Sequence, residues 1–221
     1  MSRYPAVVAV FVTALVVSNL IAVKLVAIGP LTLPAAVVLF PIAYICGDVL
    51  TEVYGYRAAR RAIWVGFGCN LVAVMAVALA GWLPPSPAWS AGAFRTPPEA
   101  QAAFDAMFGF SPRLLAASFA AYLVGEFLNA YVLARLKVAT EGRWLWLRTI
   151  GSTLVGQGAD SAVFISLAFF GILPTPALLT AIVSQWGFKT AYEAVATPLT
   201  YAVVNGLKRV EGVDPFDRGI A

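Results

Sequence analysis

The sequence contains no histidine and only two cysteines, so it lacks the ligands of the usual cysteine and histidine metal clusters. Charged residues are also scarce. They make up 12% of the 221 residues, whereas roughly 25% is typical of a soluble domain. The hydrophobic fraction is 61%. These proportions exclude an ordinary soluble domain and predict an integral membrane protein.

Sequence signatures of ATP hydrolysis and of common hydrolases are missing as well. The chain has no Walker A sequence, no HExxH and no GxSxG, and no histidine is present to activate a nucleophile. We therefore expect no enzymatic activity, no catalytic residue, no metal site and no cofactor. The net charge of +4 is not gathered into a patch interleaved with aromatic residues, so nucleic acid is not an expected partner.

Six apolar runs are each long enough, at about 20 residues or more, to cross the ~30 Å hydrocarbon core of a bilayer. They cover residues 4–28, 31–54, 61–82, 112–136, 144–171 and 175–207. The first run is too long for a signal-peptide core, and we expect it to remain as a span. We predict an all-α integral membrane protein in which residues 1–221 form a single domain of six transmembrane helices. Three spans per half permit a 3+3 inverted repeat.

The basic residues predict how these spans are oriented, because cytoplasmic loops carry an excess of lysine and arginine. If the chain crosses six times, one side receives Arg3, Arg57, Arg60, Arg61, Arg135, Lys137, Arg143, Arg148, Lys208 and Arg209. Only Arg95 and Arg113 fall on the other side. We therefore expect both termini to be cytoplasmic.

The connection at 83–111 is then external and contains the sequence "TPPEAQAAFDAMFG". Thr96 and Glu99 have the spacing of a capping box, and Phe104, Met107 and Phe108 share one helical face. We predict a short interfacial helix that rests on the membrane surface. A lid over a substrate entrance is the alternative.

Ionisable and amide side chains recur inside the predicted spans, where each charge costs roughly 2.5–3.5 kcal/mol at a span centre. The set comprises Asp48, Glu52, Glu126, Asp160, Glu193, Lys24, Lys189, Asn19, Asn70, Asn129, Gln157 and Gln185. A single polar residue is often a structural hydrogen bond between helices. A set spread over most spans predicts a polar cavity or pathway instead.

Helical spacing divides these residues into two groups. Asp48 and Glu52 lie four residues apart on one face near the predicted cytoplasmic end, and arginines follow them. We predict that Asp48, Glu52 and Arg57 form a gate or vestibule. A second group lies near the midplane, where secondary transporters bind substrate, and comprises Glu126, Gln157, Asp160, Lys189 and Glu193. Lys189 is expected to pair with Glu193 or another acid.

Acids outnumber lysines within the predicted spans. The surplus must be protonated, hydrogen-bonded to amides, or matched by a ligand that donates hydrogen bonds. A planar guanine-like ring fits this description. Its N1–H and exocyclic amine donate to one carboxylate, and its O6 accepts from an amide or a lysine.

At these residues the sequence resembles a known family, the bacterial queuosine precursor transporters, also called the vitamin-uptake-transporter family. The matching pieces are "SNLIAVKL" at 18–25, "FPIAYICGDVLTEVYGYRAARRAIW" at 40–64, "GSTLVGQGADSAVFISLAFFG" at 151–171 and "KTAYEAVATPLTYAVVNGLK" at 189–208. The combination of GDxxTEVYG, QxxDSxxF and KxxxExxxTPxxY is specific, and the resemblance covers essentially the whole chain. One departure lies in the fourth span. Glutamine and aspartate are expected there, but this chain has Glu126 and Asn129.

The resemblance implies a multi-pass protein of the bacterial inner membrane that imports 7-cyano-7-deazaguanine or 7-aminomethyl-7-deazaguanine. The expected partners are this small purine-like substrate and the lipid bilayer, and a homodimer is compatible with the sequence. The predicted substrate-binding residues are Asn19, Glu126, Asn129, Gln157, Asp160, Gln185, Lys189, Tyr192 and Glu193.

Two mechanisms are compatible with this set of residues. The leading hypothesis is alternating access, in which Asp160 or Glu193 accepts from the ring and Gln157 or Lys189 donates to O6. Proton coupling is an added hypothesis, motivated by the surplus of acids, and facilitated diffusion stays open. The alternative is a substrate-capture subunit of an energy-coupling-factor importer, which needs separate ATPase and scaffold chains.

Overall fold

The computed structural model of the protein describes residues 2–28, 31–89, 94–109 and 111–218. These residues form seven α-helices and one β-hairpin, and the all-α prediction is confirmed. The elements in chain order are α1 (Tyr4–Ile21), β1 (Leu25–Ile28), β2 (Leu31–Pro34), α2 (Phe40–Tyr54), α3 (Tyr56–Trp82), α4 (Pro97–Phe108), α5 (Pro112–Ala139), α6 (Leu145–Phe169) and α7 (Thr175–Glu211).

Three stretches of the described chain are long and apolar enough to cross a membrane. They are Tyr4–Ile21, Tyr56–Trp82 and a stretch within Pro97–Ala139. By contrast, α2 has 15 residues, which at 1.5 Å per residue gives about 22 Å, short of the ~30 Å hydrocarbon core. The number of spans beyond these three stays a prediction.

The first connection differs from the prediction of two long helical spans at 4–28 and 31–54. α1 ends at Ile21, and an antiparallel hairpin follows, with Leu25 opposite Pro34 and Val26 opposite Leu33. A 3-10 turn at Ala35–Val38 then leads into α2. The prediction that residues 22–28 and 31–39 belong to helical spans was therefore wrong. Apart from Lys24 the segment is uncharged, and its hydropathy is the same in either conformation, so hydropathy does not distinguish them.

The predicted helix in the 83–111 connection is confirmed as α4, although residues 90–93 and 110 lie outside the described residues. Thr96 occupies the N-cap but makes no side-chain cap. Instead, Glu99 Oε2 accepts a hydrogen bond from the Arg95 N–H at 3.0 Å. α4 packs against α3, where Gln101 Nε2 donates to the Gly81 carbonyl oxygen at 3.3 Å. The alternatives of a surface helix and a lid stay predictions.

Two glycines allow α5 and α6 to cross closely. A Cβ on Gly156 would lie 2.7 Å from Asn129 Cβ and 2.8 Å from the Gly125 carbonyl oxygen. A Cβ on Gly125 would lie 2.7 Å from Asp160 Cβ. Small residues permit this approach of two helix backbones. The crossing places Asn129 and Asp160, both predicted site residues, at one interface.

Candidate functional site

Helices α2, α5, α6 and α7 pack on one another, with polar side chains between them. The side chains buried there include Asp48, Glu52, Asn129, Lys137, Arg148, Gln157, Ser161 and Glu193. A buried charge is costly unless it is paired, so the pairing of each one indicates its role. The charged groups fall into three sets along the helices.

The first set surrounds an ion pair between Asp160 of α6 and Lys189 of α7. Their side chains are 18% and 12% exposed, respectively. Glu126 of α5 interacts electrostatically with both residues. Its Oε2 lies 3.6 Å from the position that a Cβ on Gly47 of α2 would take. Tyr44 of α2 also interacts with Asp160 and Glu126, so four helices contribute to this set.

A cavity of about 470 Å³ opens beside this ion pair, and Lys189 lines it. The rings of Phe40, Phe164 and Phe188 form part of its wall, and the Gln185 amide adds a second polar group. Aromatic walls with a few convergent polar groups are typical of a small-molecule site. The cavity is therefore suited to a flat ring with polar edges.

The second set is a pair of carboxyl groups, Asp48 of α2 and Glu193 of α7. They interact with each other and are 1% and 0% exposed. Asp48 Oδ2 and both Glu193 carboxyl oxygens have no hydrogen-bond partner among the residues that the structure describes. Asn129 of α5 lies beside Asp48. We expected Lys189 to pair with Glu193 or with another acid, and it pairs with Asp160.

The third set, which we term the Glu52 cluster, consists of Glu52, Lys137, Arg148, Lys208 and Asp214. The buried Glu52 carboxylate accepts hydrogen bonds from Arg148 Nη2 at 2.8 Å, Arg148 Nε at 3.2 Å and Lys208 Nζ at 2.6 Å. Lys137 Nζ donates to the Glu52 carbonyl oxygen at 2.6 Å and to Asp214 Oδ1 at 2.5 Å. Lys208 Nζ lies 2.8 Å from the same Asp214 oxygen. The cluster ties α2, α5, α6 and α7 together.

Asp214 belongs to the C-terminal segment (residues 212–218), which follows α7. Burial acts to raise the pKa of Asp214, but hydrogen bonds from Lys137 and Lys208 outweigh it and hold that pKa below its ordinary value. In the same segment, Asp217 Oδ2 accepts the Tyr56 N–H at 2.8 Å, at the start of α3. The C-terminal segment thus contacts both the cluster and the α2–α3 turn.

The predicted gate residues occupy three different environments. Glu52 lies in its cluster, and Asp48 faces Glu193. Arg57 is exposed near the start of α3, and none of the ion pairs among the described residues includes it. The chain turns at Gly55, where φ is +87°, directly before α3. Arg57 is thus close to Glu52 in sequence but is not brought into the cluster.

Two predicted binding residues lie beside the groups already described. Gln185 lines the 470 Å³ cavity. The Tyr192 hydroxyl donates to the Val37 carbonyl oxygen at 3.2 Å, and the Tyr192 ring stacks on Phe188 with centroids 6.0 Å apart. Tyr192 therefore helps to hold an aromatic wall of the cavity.

Asn19 and Gln157 have different surroundings. Asn19 Nδ2 donates to Asn70 Oδ1 at 2.8 Å, and both residues line a cavity of about 300 Å³ among α1, α3 and α5. Phe164 of α6 lines this cavity as well as the 470 Å³ cavity. Gln157 is buried within α6, 6% exposed. Asn19 therefore lines a different cavity from Lys189 and Gln185.

The partners of Glu52 were not identified as site residues from the sequence. Arg148, Lys137 and Lys208 were assigned to cytoplasmic loops because they lie at span ends. For Arg148 a signal was available. Arg148, Ser152 and Gly156 follow one another at four-residue spacing and continue to Asp160, and the first three are buried in α6. Helical spacing alone would have placed Arg148 on the same buried face as Ser152.

Comparison with known proteins identifies the family. Residues 34–203 match the family model described as "Putative vitamin uptake transporter". A Bacillus subtilis (strain 168) protein named "Probable queuosine precursor transporter" is 34% identical over 190 residues, which cover 86% of this chain and 79% of the relative. No solved structure matches.

Two further relatives match over shorter regions. The "Queuosine precursor transporter" of Escherichia coli (strain K12) is 31% identical over 134 residues, 59% of this chain and 52% of the relative. A Haemophilus influenzae protein named "Probable queuosine precursor transporter" is 33% identical over 131 residues, 59% of this chain and 49% of the relative. These two matches span about half of each relative. The chain thus belongs to the vitamin uptake transporter family, as its motifs predicted, and its relatives carry the name queuosine precursor transporter.

Proposed function

We propose that this chain is a multi-pass transporter that imports 7-deazaguanine precursors of queuosine across a bacterial inner membrane by alternating access. The names of its relatives support the class of cargo. The observation that carries the proposed binding site is the Asp160–Lys189 ion pair beside an aromatic cavity of about 470 Å³. That volume lies within the range of about 300–1,000 Å³ that is usual for small-molecule sites.

The chemistry of the cargo complements this site. A deazaguanine ring has a donor edge, formed by N1–H and the exocyclic amine, and an acceptor at O6. Asp160 or Glu126 accepts from the donor edge, and Lys189 or Gln185 donates to O6. Because the ligand supplies both a donor and an acceptor, it replaces the contacts that Asp160 and Lys189 make with each other. Neither charge is then left buried and unpaired.

The Glu52 cluster is the proposed inner gate. Its cations lie at the ends of α5, α6 and α7, where basic residues are concentrated, and such residues favour the cytoplasmic side. The cluster joins all four helices that line the site, so the path on its side is closed while it is intact. Alternating access then requires Arg148 and Lys208 to separate from Glu52 when substrate leaves toward the cytoplasm.

The test is uptake of labelled 7-cyano-7-deazaguanine by bacteria that lack both de novo synthesis and their own transporter. Wild type is expected to restore uptake. Asp160→Asn and Lys189→Ala are expected to lower it by at least about tenfold, because each removes about 1.4 kcal/mol or more of binding free energy. Glu141→Gln, which alters an exposed acid between α5 and α6, serves as the control. Unchanged uptake in both site variants at equal protein level would contradict the proposed site.

A second measurement separates a transporter from a capture subunit. The purified chain is reconstituted alone into liposomes that contain unlabelled 7-cyano-7-deazaguanine, and entry of labelled compound is followed. Exchange by the chain alone is expected. Saturable binding to the purified chain without any exchange would contradict transport by this chain.

A further inference from the structure

The Asp48–Glu193 pair takes no part in the proposed substrate contacts, yet both of its acids are buried. The two side chains are 1% and 0% exposed. Asp48 Oδ2 and both Glu193 oxygens lack hydrogen-bond partners among the described residues. Buried polar atoms are normally satisfied, so three unpartnered oxygens in one place indicate a missing donor.

The surroundings of the pair supply no such cation. Asp48 interacts with Glu193 from α7, with Glu126 and Asn129 from α5, and with Glu52 one turn along α2. Within the described part of the chain, no ion pair includes Asp48 or Glu193. The nearest cations along the helices are already engaged. Lys189, one turn before Glu193, is bound to Asp160, and the Glu52 cluster retains Lys208 and Arg148.

Tyr44 is the remaining titratable group that interacts with Glu193, and its phenol is neutral at physiological pH. Two buried carboxyl groups in contact, with no cation beside them, cannot both be ionised, so a proton between them lowers the energy of the arrangement. Because the pair is sealed from solvent, a bare proton fits where a hydrated cation does not.

We propose that Asp48 and Glu193 together bind the proton that drives import. One proton enters from the external side and is held between the two carboxyl groups. It leaves to cytoplasmic water when the inner gate opens. The assignment rests on the proposed function and adds to it the coupling ion and the residues that carry it.

The position of the pair explains how proton and substrate movements are linked. Along α2, Tyr44, Asp48 and Glu52 follow at four-residue spacing, about 6 Å per step. Along α7, Glu193 comes one turn after Lys189. The pair therefore lies between the substrate cavity and the Glu52 cluster. Displacement of α7 at Lys189 by substrate moves Glu193, and separation of the Glu52 cluster gives Asp48 access to water.

The first test uses liposomes that contain the purified chain. Uptake of labelled 7-cyano-7-deazaguanine is measured with and without an inside-alkaline pH gradient. The rate with the gradient is divided by the rate without it, and this ratio is compared between wild type and variants. Wild type and the control Glu141→Gln, an exposed loop acid, are expected to show a ratio of about ten or more. Asp48→Asn and Glu193→Gln are expected to show a ratio near one. A ratio near one for wild type, or an intact ratio in both variants, would overturn the proposal, as would stimulation by a sodium gradient alone.

The second test does not depend on the cargo and applies even to variants that transport nothing. Infrared difference spectra of the detergent-purified protein are recorded during an alkaline titration. Wild type is expected to show a protonated-carboxyl band that weakens in the double variant Asp48→Asn/Glu193→Gln and keeps its full intensity in Glu141→Gln. An unchanged band in the double variant would overturn the shared proton. If wild type shows this band but does not exchange deazaguanine, the proposed cargo is contradicted and the proposed proton site is not.

Discussion

Arg148 of α6 binds the fully buried Glu52 carboxylate of α2 through two nitrogens, with Nη2 2.8 Å from Oε1 and Nε 3.2 Å from Oε2. Arg148 itself is 1% exposed. This two-point contact is the shape for which a guanidinium is suited and an ammonium is not. It is the central contact of the Glu52 cluster.

Arg148→Leu is expected to destabilise the protein by about 3–5 kcal/mol, because it leaves part of the Glu52 charge buried without its main partner. Thermal unfolding of the detergent-purified protein measures the change. Arg57→Leu is the matched control, since Arg57 is exposed and should shift the unfolding free energy by less than about 0.5 kcal/mol. Equal losses in the two variants would show that Arg57 contributes as much as Arg148.

Changes at the Asp160–Lys189 pair are expected to affect stability and transport differently. Asp160→Asn leaves the Lys189 charge without its partner and is expected to lower both the unfolding temperature and uptake. Adding Lys189→Gln removes that stranded charge, so the double variant should recover much of the stability and none of the uptake. Recovery of uptake in the double variant would mean that the pair is structural only.

Close approach of α5 and α6 predicts a steric effect at Gly156. Gly156→Ala is expected to destabilise the protein by about 1–3 kcal/mol, because the added Cβ would meet Asn129 Cβ at 2.7 Å and a backbone oxygen at 2.8 Å. Gly206→Ala in α7 is the control. Its Cβ meets nothing within 4 Å, and the change should be neutral or stabilising by about 0.4–1 kcal/mol. Unfolding temperatures that rise for both variants would argue against the close crossing.

Acid stability should depend on Asp214. Its pKa in the folded protein is below the ordinary value of 3.8, so it contributes stability at pH values above 3.8. That contribution is lost as the pH falls from 3.8 through the lowered folded value. Asp214→Asn should be less stable than wild type at neutral pH, and its unfolding temperature should fall less across that acidic window. An Asp214→Asn curve parallel to that of wild type would contradict the effect.

Much of the candidate site follows from residue type and spacing, because a charge at membrane depth requires an explanation wherever it occurs. The shared face of Asp48 and Glu52 and the grouping of Lys189 with an acid were predicted in this way. The identity of each partner was not. Lys189 binds Asp160 of the neighbouring helix rather than Glu193 of its own, because α6 packs directly against α7. Helical spacing along one segment does not specify how two helices are rotated against each other.

Two other features were not predicted from the sequence, each for a different reason. The segment 22–39 is apolar and almost uncharged, and hydropathy alone did not reveal the β1–β2 hairpin within it. The partners of Glu52 come from 85 to 156 residues further along the chain. The sequence favours arginines close to Glu52 along the chain, whereas the packing of α5, α6 and α7 brings Lys137, Arg148 and Lys208 to it.

The C-terminal segment offers a way to observe the proposed gate without measuring transport. It contacts the α2–α3 turn through Asp217 and the cluster through Asp214, so it spans elements that must separate if the gate opens. A pair of spin labels, one on Arg218 and one on Arg57, both exposed, would report that separation as a change in distance distribution when substrate is added. The C-terminal segment therefore allows the opening and closing of the proposed gate to be followed by spectroscopy at the protein surface.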